Sequence, residues 1–201
     1  MIDNIELIKP LLNFEKEGDF YFCMILKRKK DQPEGERDNH QSVRTIKTYC
    51  IDSIEYLEKR YDEMKQLCEF FKARAYIQVQ KQNHFDVGMK MITEIVTRVQ
   101  SGQINQKNIF DSVVGQIKTN EKRWVVDVDT NDAVTLADIM LTIGICKPYD
   151  DDSKIIASIP TKNGFHLITK RFDVMEFKKK YPNVDIQKKN PCLLFLPNSL
   201  Q

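Results

Sequence analysis

Closely spaced cysteine pairs are missing from this chain. Its five cysteines, Cys23, Cys50, Cys68, Cys146 and Cys192, are odd in number and widely scattered, with no CxxC and no histidine at a zinc-ligand spacing. That excludes a disulfide framework or a zinc finger and leaves reduced, mostly buried thiols, as expected of a cytoplasmic protein. An excess of charge is missing as well: Lys+Arg 31 against Asp+Glu 29 gives a net charge of +2, so any basic surface for nucleic acid must be local. Long apolar runs are absent, and no stretch reaches the ~20 residues that span a bilayer. The opening residues, MIDNIELIKPLLNFEKEGDF, mix acids with short apolar runs and lack the basic start and apolar core of a signal peptide. A membrane partner is therefore not expected. Histidine is scarce: His40, His84 and His166 form no HxH, which removes the metal-binding pair of a rolling-circle nickase. No internal repeat or low-complexity tract is visible.

What the chain does have is 41% hydrophobic content over 201 residues, enough to bury a core without staples. Residues 20–28 (FYFCMILKR) have the density of a strand, followed by a charged loop with Pro33 and Gly35. The basic cluster Arg28, Lys29 and Lys30 beside it reads as solvated charge. Ile54, Leu57, Tyr61, Met64, Leu67, Cys68 and Phe71 recur in steps of three and four, which predicts a helix over 53–72. Residues 73–79 alternate like a strand, and Val87, Met91, Ile95 and Val99 predict a helix over 86–100, stopped by Gly102. The polar segment 102–122 reads as a connector.

The second half is more regular. A strand is predicted over 123–128, a helix over 131–144, an acidic turn over 147–153, a hairpin from 154–159 and 164–169, a helix over 173–180 and a final strand over 184–196, interrupted near Pro191. The order is βαββαβ, the ferredoxin-like arrangement of RRM modules. The expected fold is α+β: an N-terminal α/β module over 1–110, packed with an RRM-like βαββαβ module over 111–201.

Three motifs in that second module could carry chemistry. In WVVDVD, Asp127 and Asp129 alternate on an apolar strand and project to one face. Two such acids repel unless a cation or proton lies between them, and hard oxygen ligands at this spacing suit Mg²⁺ or Mn²⁺. On its own, Asp129 reads as the cap of the following helix. In PTKNGFH, Gly164 permits a sharp turn and close backbone approach, while Lys162 and Lys170 offer positive charge to phosphates. His166 faces opposite to Phe165 and Leu167, and a lone strand histidine is ordinarily structural. In VDI, Asp185 sits between β-branched residues, either as a third metal ligand or as an exposed edge acid, with Asp173 and Glu176 as fallback acids on the helix before it.

Taken in order on this frame, WVVDVD, PTKNGFH and VDI resemble the archaeo-eukaryotic primase superfamily over roughly the last eighty residues. That family has an apolar strand ending in DxD, then a turn and strand with a small hydroxyl residue, glycine and histidine, then a single acid between apolar residues. The resemblance implies that Asp127, Asp129 and Asp185 hold divalent metals, that His166 contacts the phosphates of an incoming nucleotide, and that Thr161, Lys162, Gly164 and Lys170 belong to the phosphate site. The implied reaction is metal-assisted attack of a 3′-hydroxyl on the α-phosphate of a nucleoside triphosphate, directed by a DNA or RNA template. The implied setting is a mobile-element replication protein working with a partner such as a helicase. Thr161 stands where the family usually has serine. The competing reading is a non-catalytic nucleic-acid-binding or structural module on the same sheet. A nucleic-acid-binding sheet needs exposed aromatics; Trp124 and Phe165 are its only candidates, and Trp124 shares the face of Val126 and Val128.

Overall fold

A computed structural model describes residues 1–32, 43–102, 109–117, 122–149, 153–188 and 191–200. The first half builds a sheet around one long strand. In β2 (Asp19–Arg28), Phe20 and Phe22 alternate with Tyr21, Cys23 and Ile25, and all five are buried. Such a strand must be covered on both faces. It pairs antiparallel with β3 (Val43–Ile51) on one side and β4 (Arg74–Ile77) on the other. Beyond β4 the sheet continues through β10 (Cys192–Leu196) to the short β1 (Ile2–Asp3), and β5 (Gln82–Asn83) pairs with the start of β2.

One face is covered by α2 (Ile54–Phe71), which buries Leu57, Tyr61, Met64 and Cys68, the stripe its periodicity predicts. Ser53 caps it, its Oγ accepting from the Tyr56 amide at 3.1 Å. The other face meets α3 (His84–Gln100) and α4 (Ile109–Gln116) through Phe20, Phe22, Val87, Ile109, Val113 and Val114. Helix α4 lies within the segment expected to be a plain connector. Ile109 and Val113, four residues apart, share the buried face of a turn too short to stand out by periodicity. The loop expected after residue 28 begins as a 3-10 turn over Lys29–Asp31, and residues 33–42 lie outside the described residues.

The second half forms an antiparallel sheet in the order β7 (Ile155–Pro160), β8 (Phe165–Thr169), β6 (Trp124–Val128), β9 (Asp185–Gln187). Helices α5 (Ala133–Ile145) and α6 (Val174–Lys180) lie on one face, where Ile139, Ile143 and Phe177 pack with Trp124, Val126, Val128 and Leu167. The opposite face sends Val125, Ile159 and Ile168 into the core shared with α2 and the first sheet. The protein is thus α+β, with two antiparallel sheets joined through a common core.

One expectation is corrected here. The segment 184–196 is not one interrupted strand: β9 pairs with β6, whereas β10 crosses to the first sheet and pairs with β4. Pro191 supplies no N–H for a ladder, so the break falls where the chain changes sheets. Polar ties reinforce the crossing. The buried Asn4 amide donates to the carbonyls of Pro160 (2.9 Å) and Leu193 (3.0 Å), one in each sheet. Gln80 likewise bridges the carbonyls of Arg123 and Lys188.

Candidate functional site

The register of the second sheet sets the site. Asp127 on β6 stands directly opposite His166 on β8 and Asp185 on β9, so the three side chains start on one face in one row across the sheet. Alternation turns this face away from α5 and α6 and toward the first sheet. There it meets the ends of β2 and β4, and a cavity of about 110 Å³ opens between the sheets. From the second sheet it is lined by Asp127, Asp129, His166 and the turn residues Thr161, Lys162 and Asn163; from the first, by Arg28, Arg74 and Leu193.

Gly164 holds the turn in place. A Cβ there would lie 1.9 Å from the carbonyl oxygen of Val128 and 2.7 Å from the amide nitrogen of Thr130, so the β7–β8 turn lies against the end of β6 with no room for a side chain. The turn is closed by the Thr161 amide donating to the Gly164 carbonyl at 2.8 Å. This contact presents Thr161, Lys162 and Asn163 to the same cavity as the two aspartates.

His166 is buried, at 4% exposure. Its Nδ1 accepts from the Leu193 amide at 3.1 Å, a bond that ties β8 to β10 across the sheets. The proton of the neutral ring therefore sits on Nε2, which faces Asp127 Oδ1 at 3.6 Å. Burial, helped by the Arg28 charge, pushes its pKa down to about 4, so at neutral pH the ring is an uncharged donor. The histidine thus has a structural bond on one nitrogen and faces the site with the other.

The basic wall comes from the first half of the chain. Arg74 is nearly buried and paired with Asp31, Nε to Oδ2 at 2.9 Å and Nη2 to Oδ1 at 2.8 Å. The Arg28 guanidinium lies over the Tyr76 ring, 5.4 Å from its centroid. In the sequence Arg28 reads as solvated charge and Arg74 carries no signal; the place of both opposite Asp127 depends on β2 and β4 facing the second sheet, which no local pattern reveals.

The other candidates fall in different places. Asp129 is exposed on the cavity and does not cap α5; Asp132 does, accepting from the Thr135 amide at 2.8 Å. Asp185 is exposed at the outer strand and accepts from Gln187 Nε2 at 2.7 Å, outside the cavity lining. Asp173 caps α6, and Glu176 accepts from the Lys147 amide, so neither fallback acid belongs to the site. Lys162 Nζ donates to the Leu200 carbonyl at 2.7 Å. Lys170 follows the far end of β8, where Thr169 pairs with Trp124, and does not line the cavity. Among the described residues no group of three or more His, Cys, Asp or Glu is gathered as a metal centre. Four cysteines are buried and Cys50 is half-buried, and all five are free thiols. None lines the cavity.

The chain was compared with protein-family models, curated proteins and solved structures, and it matches none of them.

Proposed function

We propose that the cavity at the Asp127 end of β6 is the triphosphate site of a primase-polymerase-like nucleotidyltransferase, on a βαββαβ unit of RRM-like type. The observation that carries this reading is the register: one carboxylate flanked across the sheet by a neutral histidine and a second carboxylate, facing two arginines from the other sheet. The unit's chain order and the strand order β7-β8-β6-β9 support the RRM-like reading.

Asp127 and Asp129 fit a divalent metal. They offer hard oxygen donors on one cavity, and Mg²⁺ is commonly held by one or two carboxylates, with water and phosphate oxygens completing its shell. Such an ion, Mg²⁺ or Mn²⁺, would polarise phosphoryl oxygens and neutralise charge that develops on them. His166 is not a metal ligand in this tautomer; Nε2–H is a donor for a phosphate oxygen. Arg28 and Lys162 add positive charge beside it, and Asn163 a neutral amide. The cavity is smaller than the ~300 Å³ of a pocket that encloses a whole small ligand, so it suits the phosphates, with base and sugar toward solvent. Template and 3′-hydroxyl would approach from the open side, past the exposed Asp129 and Asp185.

A second reading is favoured by Asp185, which lies outside the lining and bonds Gln187: a module that keeps the phosphate cleft and has no catalysis. Calorimetry with Mn²⁺ and a nucleoside triphosphate, on the wild type and on Asp127→Asn, separates the two. Metal-dependent binding weakened more than about tenfold in the variant, a loss above 1.4 kcal/mol, supports the first reading and leads to primer extension. Triphosphate binding equal in both proteins and indifferent to metal supports the second.

A further inference from the structure

Helix α3 is turned the wrong way round for a monomer. Its inward row, Val87, Met91, Glu94 and Arg98, contains one fully buried residue and an ion pair, Arg98 Nε to Glu94 Oε1 at 2.9 Å. Its outward row is Phe85, Met89, Ile92, Val96 and Val99, exposed by 74%, 53%, 59%, 49% and 62%, with Ile95 beside it at 37%. A helix normally buries its more apolar face. The outward row also steps 4-3-4-3, the spacing of a coiled-coil seam, whose natural complement is a second seam of the same kind.

The rest of the sequence offers nothing apolar enough to cover this row. The stretches of this chain outside the described residues, PEGERDNHQS, QINQKN, KTNE, DD with the preceding Asp150, KN and Gln201, contain one aliphatic side chain, Ile104, among them. A membrane surface is a poor match, since the charges on α3 are two acids, Asp86 and Glu94, and two bases, Lys90 and Arg98, where interfacial helices are rich in Lys and Arg. A second copy fits better. At about 200 Å² for a fully exposed large apolar residue, the six side chains expose on the order of 650 Å², close to the roughly 800 Å² per partner of a specific interface. Of the flanking positions Asp86, Gly88, Thr93 and Gln100 only Asp86 is charged, and an antiparallel two-fold sets it beside the Gln100 end of the partner helix and away from its own copy, so two copies meet with no like-charge repulsion at the seam. An antiparallel two-fold would set the bulky Phe85 end of one helix against the small Val96 and Val99 end of the other.

We propose that the protein self-associates through α3, forming a two-fold dimer by packing of the Phe85–Met89–Ile92–Val96–Val99 seam against its own copy. This rests on packing alone and does not depend on the reading of the Asp127 cavity. The test is sedimentation equilibrium of the full chain in the micromolar range, with Ile92→Glu and Val96→Glu as seam variants and Leu141→Glu, on the exposed face of α5, as control. The seam residues are exposed, so both variants keep the wild-type circular dichroism and melting curve, read at a loading where the wild type is monomeric. The expected result is a dimer mass for the wild type and Leu141→Glu, and a monomer mass for each seam variant, with the dimer constant weakened at least tenfold. A wild type that stays monomeric, or a dimer lost in Leu141→Glu and kept in Ile92→Glu, overturns the proposal. So does a monomer that binds phosphatidylserine vesicles through Ile92.

Discussion

The two faces of the four-stranded sheet share every backbone hydrogen bond and differ in what they meet. Trp124, Val126 and Val128 point to α5 and α6 and are sealed by Ile139, Ile143 and Phe177. Val125 and Asp127, the residues between them, point to the first sheet. That second face is itself divided: near Val125 and Ile168 it is an apolar core, and one step further along β6 and β8 it becomes a polar cavity with Asp127, His166 and two arginines, while Ile159, opposite His166 on β7, still packs in the core. Alternation along β6 decides which sheet a side chain addresses. Position along the strand decides whether it packs or faces a solvent-connected site.

The sharpest way to break both faces together is Gly164→Ala. The added Cβ collides with backbone at Val128 and Thr130, which cannot rotate away as a side chain can. Either the β7–β8 turn or the start of the β6–α5 loop must move, drawing His166 and Asp127 out of register. The expected loss is on the order of 4 kcal/mol in denaturant unfolding, at the level that marks a named structural cause. A loss below about 1 kcal/mol would mean that the turn is free to lift off β6.

Phe177→Ala addresses the sealed face alone. The side chain is fully buried and touches Phe172 and Tyr181 at ring separations of 5.4 and 5.5 Å. Its removal should cost about 3–5 kcal/mol by lost transfer energy and an unfilled cavity. Calorimetry on the folded fraction should then give unchanged triphosphate binding at the opposite face. A parallel loss of binding would show that the faces are coupled through the sheet.

How much of this was legible beforehand follows the same division. Local patterns located β2, α2, β4, β6, the β7–β8 hairpin and α6, because each carries its own periodicity or turn chemistry. The close approach at Gly164 was legible too, since glycine before an apolar strand residue signals room for backbone only. Strand β3 was not legible, because its apolar residues Val43, Ile46, Tyr49, Cys50 and Ile51 do not alternate and the first three step by three; β1 was too short to stand out. Partners distant in sequence were hidden. Nothing near Leu193 announces that its amide bonds His166, and nothing near Arg28 or Arg74 announces Asp127. For α3 the periodicity gave the helix and the wrong inward row: Val87 is buried, whereas Ile95 and Val99 of the same predicted stripe are exposed. A helix with apolar residues on most of its circumference does not reveal which arc faces its own chain.

The smallest expected effect is also the most specific to the polar face. His166 has its pKa lowered from 6.5 to about 4 by burial first and then by the Arg28 charge, even though Asp127 lies nearby. A group depressed in the folded state contributes stability that is whole above its unfolded pKa and is lost as pH falls toward its folded one. The unfolded chain takes up a proton from about pH 6.5 downward while the native ring does not, so unfolding gains from acid throughout the window from about 6.5 to 4. Between pH ~7 and ~5 the histidine alone should remove about 2 kcal/mol of stability. His166→Asn, which keeps a side-chain acceptor within reach of the Leu193 amide and cannot titrate, should flatten that part of the pH profile while lowering the plateau above pH ~7. An unchanged acid slope in the variant would mean that the ring ionises as readily in the folded protein as in the unfolded chain, through Asp127 or through water entering the cavity. In that case the Nε2 of His166 would meet a phosphate as a cation below about pH 6.5 and as a neutral donor above it.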